Sequence, residues 1–302
     1  MTRLIIDCDP GIDDALALLL ACGSPELELL GVTTVAGNRP VDITSLNACR
    51  LLDLAGKHQV PVYAGAARPL TQSQPRCNLF HGEDGLGGVK LPTDRTPASE
   101  HAGDFIARTL LQEPPDTVTL VAVGPLTNLA LAEIKHPGVL RRTKSLVVMG
   151  GAAFQPGNVT PCAEFNFHAD PLAAHTVMEA GRQVHLFGLD VTSKAIMSND
   201  WIASLAELDT RCGRAAHAML EAYALEDALL HDACPVAWLL QPQLFSGEPC
   251  AVSVDWRPGV TEGQSCAWPA WRAPERMNAM VYTGVAGPQL LALVRERVAR
   301  LP

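Results

Sequence analysis

Four aspartates lie within eight residues near the start of the chain, at positions Asp7, Asp9, Asp13 and Asp14. Carboxylates this close together repel one another, and a hard divalent cation, which prefers oxygen ligands, would relieve that repulsion. The apolar run Leu4–Ile6 before them predicts a buried strand, and the apolar run Ala15–Ala21 after them predicts a helix. The aspartates are therefore expected at the carboxyl end of a strand, where open α/β sheets place their sites.

Helix capping is the structural alternative, because Asp is a favoured residue at a helix N-terminus. One cap explains one aspartate, however, and four within eight residues favour a functional site. In the functional interpretation Asp9 and Asp14 are metal ligands, and Asp13 faces a hydroxylated substrate.

Two further strand ends carry residues that could join such a site. Asn38 directly follows the second predicted strand and could donate and accept hydrogen bonds there, although a turn asparagine is the simpler interpretation. Val123 ends another strand, and its free carbonyl could complete a calcium shell, since calcium accepts main-chain oxygens. Gly124 and Pro125 are equally consistent with ordinary strand-to-helix punctuation.

A polar segment with sugar-binding character runs from Asn158 to Asn166. Asn158, Glu164 and Asn166 offer both donors and acceptors, as a sugar's hydroxyl groups require. A polar surface loop is the alternative, but the intervening Ala163 and Phe165 indicate partial burial, where unpaired polar groups would be costly.

Two histidines are further candidates for a functional site. His81 lies between Phe80 and Gly82 in a long loop and could act as a lid residue, although a solvent-exposed loop histidine is favoured on this evidence alone. His231 and Asp232 precede an apolar helix. Asp232 is either a metal ligand or a simple helix cap, and His231 is a candidate proton donor.

Strand-like and helix-like segments alternate along the chain, which predicts an α/β fold with a mainly parallel, open, Rossmann-like sheet and helices on both faces. The predicted strands are Leu4–Asp7, Leu30–Val35, Val60–Tyr63, Thr117–Val121, Ser145–Met149 and Val184–Leu189. The predicted helices are Asp13–Cys22, Asp42–Ala55, His101–Gln112, Leu126–Glu133, Pro171–Ala180, Arg214–Tyr223 and Gln289–Arg300. Residues 65–98 are expected to form a long loop over the site, and residues 247–285 an irregular β extension. A single domain over residues 1–302 is the simplest division.

Composition limits the classes of partner and the compartment. The net charge of -9 argues against a nucleic-acid backbone or an anionic membrane as partner. Nine cysteines are scattered without a C-x-x-C pair, which predicts buried thiols in a reducing cytoplasm. The start of the chain runs into a predicted strand and leaves no room for a signal peptide. No P-loop, G-x-G-x-x-G or serine nucleophile elbow is present.

Taken together, these segments resemble the nucleoside N-ribohydrolases, the inosine-uridine type nucleoside hydrolases, from Leu4 to about Leu240. The aspartate run is the most specific part of the resemblance. Five shorter segments follow in the expected order: Asn38, His81-Gly82-Glu83, Met149-Gly150-Gly151, Ala163-Glu164-Phe165-Asn166 and His231-Asp232.

The resemblance implies calcium-dependent hydrolysis of the N-glycosidic bond of a ribonucleoside, with one calcium ion per subunit. The implied metal ligands are the side chains of Asp9, Asp14 and Asp232 and the carbonyl of Val123. The implied ribose contacts are Asp13, Asn38, Met149, Asn158, Glu164 and Asn166. The implied catalytic residues are Asp9, which takes a proton from water, and His231, which gives one to the base. Family members are commonly homotetramers or homodimers.

One departure from the family concerns the cover of the base. Only nine residues, 222–230, separate the helix near Met219 from His231, where relatives have some twenty, and Tyr223 is the sole aromatic among them. A catalytically weak calcium- and ribonucleoside-binding protein is therefore an alternative. A haloacid-dehalogenase-type phosphohydrolase is a weaker one, because its Asp-x-Asp motif wants Thr or Val where this chain has Gly11.

Overall fold

The computed structural model describes residues 1–77, 80–225, 227–272 and 274–302. The strands in these ranges are β1 Thr2–Cys8, β2 Leu27–Thr34, β3 Val62–Ala64, β4 Val118–Ala122, β5 Ser145–Met149, β6 Val184–Phe187, β7 Phe245–Val254, β8 Ser265–Pro269 and β9 Ala279–Val285. They form one sheet in the order β3-β2-β1-β4-β5-β6-β9-β7-β8. The pairs from β3 through β9 in this order are parallel, and β7 runs antiparallel to both β9 and β8.

Helices connect the strands and close the chain. They are α1 Ile12–Cys22, α2 Val41–Leu54, α3 Ala102–Gln112, α4 Thr127–Lys135, α5 Phe165–Ala169, α6 Pro171–Met178, α7 Leu189–Thr192, α8 Asn199–Ala206, α9 Arg211–Tyr223, α10 Ala233–Leu240 and α11 Gly287–Val298. Short 3-10 turns lie at Val139–Arg142, Pro242–Leu244 and Pro274–Arg276.

Helices cover both faces of the sheet, and strand β1 shows this because its side chains alternate between two hydrophobic cores. Leu4 and Ile6 of β1 pack with α1, α2 and α9–α11, whereas Ile5 packs with α3, α4 and α6 on the other face. All residues of α1 are buried. The predicted α/β fold with helices on both faces is therefore confirmed.

Strand order reverses at β1, and this reversal positions the site. The chain runs outward from β1 to β2 and β3 on one side, then returns to β4 and continues to β5 and β6 on the other. A crevice opens at such a switch point, outside the carboxyl ends of the two central strands. Asp9 follows β1 and Val123 follows β4, so these two of the four predicted metal ligands lie at this crevice.

Differences from the predicted elements are local. The strand predicted over Val184–Leu189 ends at Phe187, because Leu189 begins α7. Helix α9 begins at Arg211, three residues before the predicted start, because Thr210 caps it by accepting from the Gly213 amide. Short helices α5, α7 and α8 were not predicted. The predicted extension over 247–285 is the β7–β8 hairpin together with β9, which extends the main sheet beside β6.

Two of these predicted regions include positions that the structure leaves undescribed. The described residues of the loop 65–98 contain neither helix nor strand beyond a single bridge from Ala98 to Tyr63, as predicted. Residues 78 and 79 of that loop, and residue 273 of the extension, lie outside the described residues.

The cysteine prediction holds only in part. All nine cysteines are free, and six are buried, but Cys77 and Cys266 are exposed and Cys162 is half-buried. These three lie in connections or on the edge strand β8, where no second layer covers them. No helix in the described part of the chain has both the length and the apolar character needed to cross a membrane.

Candidate active site

The turn between β1 and α1 folds around the Asp14 carboxylate. Asp14 Oδ1 accepts from the Asp9 amide at 3.0 Å, and Oδ2 accepts from the Gly11 amide at 2.9 Å. The N-cap residue of α1 is Gly11, so none of the four aspartates is the N-cap that the alternative expected, although Asp14 at N3 does accept from the N-cap amide. Asp13 Oδ1 accepts from the Asp14 amide at 3.2 Å.

The Asp9 carboxylate is enclosed by backbone from the two neighbouring strand ends. Its Oδ2 accepts from the Asn38 amide at 2.6 Å. A Cβ atom added at Gly37 would overlap Oδ2, and one added at Gly124 would overlap Oδ1. The sequence indicated a strand-to-helix break at Gly124 and no role for Gly37, yet both glycines make the room in which Asp9 sits. The signal that could have found them is their position, one residue from Asn38 and from Val123.

The carboxylates of Asp13, Asp14 and Asp232 form a compact group. One oxygen from each lies within 4.8 Å of the others, and all three residues are buried. Asp232 stands before α10 but makes no capping hydrogen bond, so the simple-cap alternative for this residue is wrong. Asp9 is not in this group of three, although sequence reasoning placed it among the metal ligands and left Asp13 out.

Burial and mutual repulsion make these carboxylates costly to charge. Burial first, and then the neighbouring aspartates, raise the pKa of Asp9 and of Asp232 well above the usual range. The same causes raise the pKa of Asp14 to about 7. A cation held between the oxygens would remove this penalty, and an all-oxygen donor set suits a hard divalent ion. The residues present therefore fit a bound metal ion.

The side chain of Asn166 connects two strand ends at the crevice. Its Nδ2 donates to the carbonyl of Val123 at 2.7 Å and to that of Met149 at 3.2 Å. Val123 itself donates its amide to the Asp7 carbonyl at 2.8 Å, which aligns the ends of β4 and β1. The predicted carbonyl at Val123 thus lies at the site, with the Asn166 amide as a partner.

The Asn158–Asn166 segment is organised by Glu164, which begins α5. Glu164 Oε2 accepts from the Gly151 amide at 2.8 Å, and Oε1 accepts from the Asn166 amide at 3.0 Å. Burial raises the pKa of Glu164, although these amide donors oppose the shift. Asn158 is exposed, and its Oδ1 accepts from the Phe165 amide at 3.0 Å.

His81 is buried, so the favoured interpretation as a solvent-exposed loop histidine is wrong. The Ile12 amide donates to its Nδ1 at 3.1 Å, which anchors the loop on the start of α1. Its ring stacks on Tyr223, with ring centroids 5.2 Å apart and planes 18° apart. Burial lowers the pKa of His81, so the ring is neutral at pH 7, with its proton on Nε2.

His231 is held at both ring nitrogens. Nδ1 lies 2.9 Å from Thr192 Oγ1, and Nε2 lies 3.0 Å from Asp227 Oδ2. Burial by itself would lower the pKa of His231, but the hydrogen bond and charge of Asp227 and the charges of Asp13 and Glu164 raise it. Thr192 and Asp227 were missed by sequence reasoning, since neither belongs to a motif.

Two further side chains support the site from outside the cavity. Asp7 Oδ1 accepts from Thr33 Oγ1 at 2.6 Å and from Asn128 Nδ2 at 2.8 Å, and burial raises the pKa of Asp7 to about 7. His168, for which the sequence indicated no role, lies 3.0 Å from Arg76 Nη1 through its Nε2. Arg76 also pairs with Glu262, so His168 helps to tie the long loop to the β7–β8 connection.

A cavity of about 250 Å³ opens over these groups. Every predicted site residue lines it except Asp9 and Asp14, which lie beneath it. The lining adds five residues that were not predicted, namely Phe80, Val159, Phe165, Tyr223 and Asp227. None of the described residues around this cavity is Lys or Arg, so no permanently charged cationic side chain of the lining balances the carboxylates.

Comparison with known proteins agrees with this geometry. The family model "Inosine-uridine preferring nucleoside hydrolase" matches residues 4–292. The pyrimidine-specific ribonucleoside hydrolase RihA of Photobacterium profundum is 38% identical over 98% of each chain. The non-specific ribonucleoside hydrolase RihC of Escherichia coli is 42% identical over 86% of each chain.

Solved structures give the same result. A plant nucleoside hydrolase, PpNRh1, superposes with a TM-score of 0.93 at 30% identity over 99% of both chains. A purine-preferring ribonucleoside hydrolase from Gardnerella vaginalis superposes with a TM-score of 0.92 at 31% identity, over 99% of this chain and 98% of its own. The chain belongs to the inosine-uridine preferring nucleoside hydrolase family. It is a hydrolase that acts on the N-glycosyl bonds of ribonucleosides.

Proposed function

We propose that the chain hydrolyses ribonucleosides to ribose and a free base with the aid of one bound calcium ion per subunit. The observation that carries this proposal is the buried group of Asp13, Asp14 and Asp232 at a cavity with no Lys or Arg in its described lining. Calcium takes six to eight oxygen ligands in flexible geometry, which suits carboxylates and a carbonyl better than the strict octahedron of magnesium. The proposed ligands are Asp9, Asp14, Asp232 and the Val123 carbonyl.

The ribose would lie over the carboxylates. Asp13, Asn38 and Asn166 would hold its 2′- and 3′-hydroxyls. Met149 through its backbone, with Asn158 and Glu164, would hold the 5′ end. When bound, calcium would acidify a water molecule and fix the two ribose hydroxyls.

The chain's own residues carry the proton transfers. Asp9 accepts the proton of the attacking water as general base. The sugar becomes oxocarbenium-like as the bond to the base lengthens, and the surrounding carboxylates stabilise that positive charge. His231 supplies a proton to the departing base, and His81 with Tyr223 forms part of the cover over it.

The nature of the base is a separate question. The relatives named above differ in their stated preference: pyrimidine-specific, non-specific and purine-preferring. We therefore propose ribonucleosides as the substrate class, with purine and pyrimidine bases both as candidates. We further propose a homodimer or homotetramer in the cytoplasm; light scattering of the purified protein measures the assembly.

The experiment that tests this function is release of reducing sugar from inosine, adenosine, uridine and cytidine, each with calcium and with a chelator. We expect release with calcium and none with chelator. Activity that survives chelation would contradict the metal requirement. Nucleoside binding without release from any of the four would favour the binding-protein alternative.

A further inference from the structure

Asp227 lies in the cavity at a place that the site described above does not use. Its amide donates to the Tyr223 carbonyl at 2.9 Å, so it continues the last turn of α9 toward the site. Its side chain lines the same cavity as the ribose-binding residues and remains 30% exposed. Its place follows from the short connection between α9 and His231, which this chain has and which puts Asp227 four residues before the histidine.

The hydrogen bond between Asp227 and His231 determines which of the two groups donates and which accepts. A carboxylate only accepts, so the proton of the 3.0 Å contact is on His231 Nε2. His231 Nδ1 is already engaged with Thr192 Oγ1. Both ring nitrogens are paired before the reaction, so His231 can give its Nε2 proton to the departing base only by leaving Asp227. Until then the carboxylate is the group of this pair with free hydrogen-bonding capacity, since it has about four acceptor positions and His231 occupies one.

The neighbours of Asp227 place it at the base end of the cavity. Its charge acts on His81 and on Tyr223, the stacked pair that covers this part of the site. The proposed ribose-binding residues surround the aspartate group and take up that end of the cavity. Asp227 and Tyr223 belong to the rest of the cavity lining, which is left for the base. The acceptor capacity of Asp227 that His231 does not use is therefore available to the leaving group.

We propose that Asp227 is a specificity-determining residue that accepts a hydrogen bond from an N–H group of the nucleobase. This inference rests on the proposed function. The chain would accordingly select ribonucleosides whose base presents an N–H donor, such as a lactam N–H, over analogues that lack it. A hydrogen bond to a charged acceptor corresponds to about a tenfold to hundredfold preference, and a site built to pair a substrate N–H rejects the analogue without it.

The test compares kcat/KM for inosine with that for 1-methylinosine and for purine riboside, which both lack the N1–H donor. Uridine and 3-methyluridine form a second pair, and p-nitrophenyl riboside reports the ribose end alone. Each ratio is measured in wild type and in the variants, so differences in intrinsic reactivity between substrates cancel. The variants are Asp227→Ala, Asp227→Asn, Thr192→Val and Glu221→Ala, the last a control at an exposed acid on α9.

We expect wild type to prefer at least one donor-bearing parent by about tenfold or more. Asp227→Ala should lower that ratio by about tenfold or more relative to wild type, which leaves only the intrinsic difference in reactivity between parent and analogue. Asp227→Asn keeps the size of the side chain, weakens the acceptor and should lose most of the preference. Thr192→Val should slow parent and analogue together and keep their ratio, and Glu221→Ala should behave as wild type.

Three results would overturn the inference. The first is an unchanged ratio in Asp227→Ala. The second is a full ratio in Asp227→Asn, which would make the contact steric. The third is a loss of the ratio in Thr192→Val equal to that in Asp227→Ala, which would make Asp227 only a holder of the His231 ring. A wild type that cleaves none of these ribosides would instead overturn the proposed function, so the two failures are distinguishable.

Discussion

The Asp9 carboxylate is the residue on which the proposed chemistry depends most. It sits beneath the cavity between two glycines, and its position is set by the Asn38 amide. The Asn38 amide and the close backbone of Gly37 and Gly124 leave the Asp9 carboxylate little freedom to move. Its position is thus fixed by main-chain atoms and by the absence of a Cβ at the two glycines.

Replacement of Asp9 by Ala should remove nearly all turnover. A general base contributes about 100-fold to 10,000-fold to a rate, and the variant would also lose a proposed metal ligand. The measurement is kcat for the best nucleoside, with calcium in excess. Asp94→Ala, at an exposed position in the long loop, is the matched control and should be fully active. Near-wild-type turnover of the Asp9 variant would contradict the mechanism.

Replacement of Gly37 by Ala should displace the Asp9 carboxylate without removing it, because the new Cβ would overlap Oδ2. A misplacement of about 1 Å can cost about 100-fold in rate, and we expect kcat to fall by about that factor while the protein stays folded. Gly287→Ala is the control, since the nearest atom to its Cβ, the Lys194 carbonyl oxygen, is 3.6 Å away. Equal activity of the two variants would show that Asp9 does not need this space.

At the scale of elements, the site depends on how helices are fastened to the sheet. Helix α11 packs against α1 and closes the chain, and its buried Arg297 forms two hydrogen bonds of 2.8 Å with Glu26, just before β2. The hydrogen bond from Arg297 is the main cause that lowers the pKa of Glu26. A carboxylate whose pKa is lower in the folded state contributes stability above its usual pKa and loses it as the pH falls.

Replacement of Glu26 by Gln should therefore destabilise the protein at pH 7 and not at low pH. Glu26 is half exposed, so we expect a loss of at most about 1 kcal/mol in the free energy of unfolding. The difference from wild type should shrink as the pH falls below about 4.3, the ordinary pKa of Glu. Denaturant unfolding at several pH values measures it. Glu207→Gln is the control, because Glu207 is exposed and forms a looser pair with Arg295, which is also on α11; this variant should show no such change. A difference for Glu26→Gln that does not depend on pH would contradict the argument.

At the scale of the whole molecule, the reversal of strand order at β1 gathers the acids. Residues from position 9 to position 232 meet at one edge of the sheet, and the described cavity there has no Lys or Arg in its lining. The folded chain thus keeps several carboxylates close together at a cost in stability, which burial increases. A bound cation would relieve this repulsion. Because only the folded state holds these carboxylates together, binding of the cation would stabilise the folded state.

Calcium should consequently raise the temperature of unfolding. At a concentration 100 times the dissociation constant, a ligand that binds only the folded state stabilises it by about 2.7 kcal/mol, which corresponds to a shift of about 5 °C in a chain of this size. Asp232→Asn should lose most of the shift, and Asp94→Asn should keep it. An equal shift with magnesium would contradict the choice of ion, and no shift with either would contradict a metal site.

Much of this protein follows from local sequence. The apolar strand before Asp7, the apolar helix after Asp14 and the alternation of such segments predict a mainly parallel α/β sheet, because period and punctuation are properties of neighbours along the chain. The acids and amides that line the cavity stand at strand ends, where such sheets place their sites, so most of the candidate site could also be predicted.

What only the tertiary structure decided are contacts between residues far apart in sequence. The burial of His81 depends on Tyr223 and on the Ile12 amide, which no loop composition indicates. The room around Asp9 depends on two glycines from different strand ends. The placement of Asp227 depends on where α9 ends relative to His231. Such features arise from packing in three dimensions, where distance along the chain does not determine distance in space.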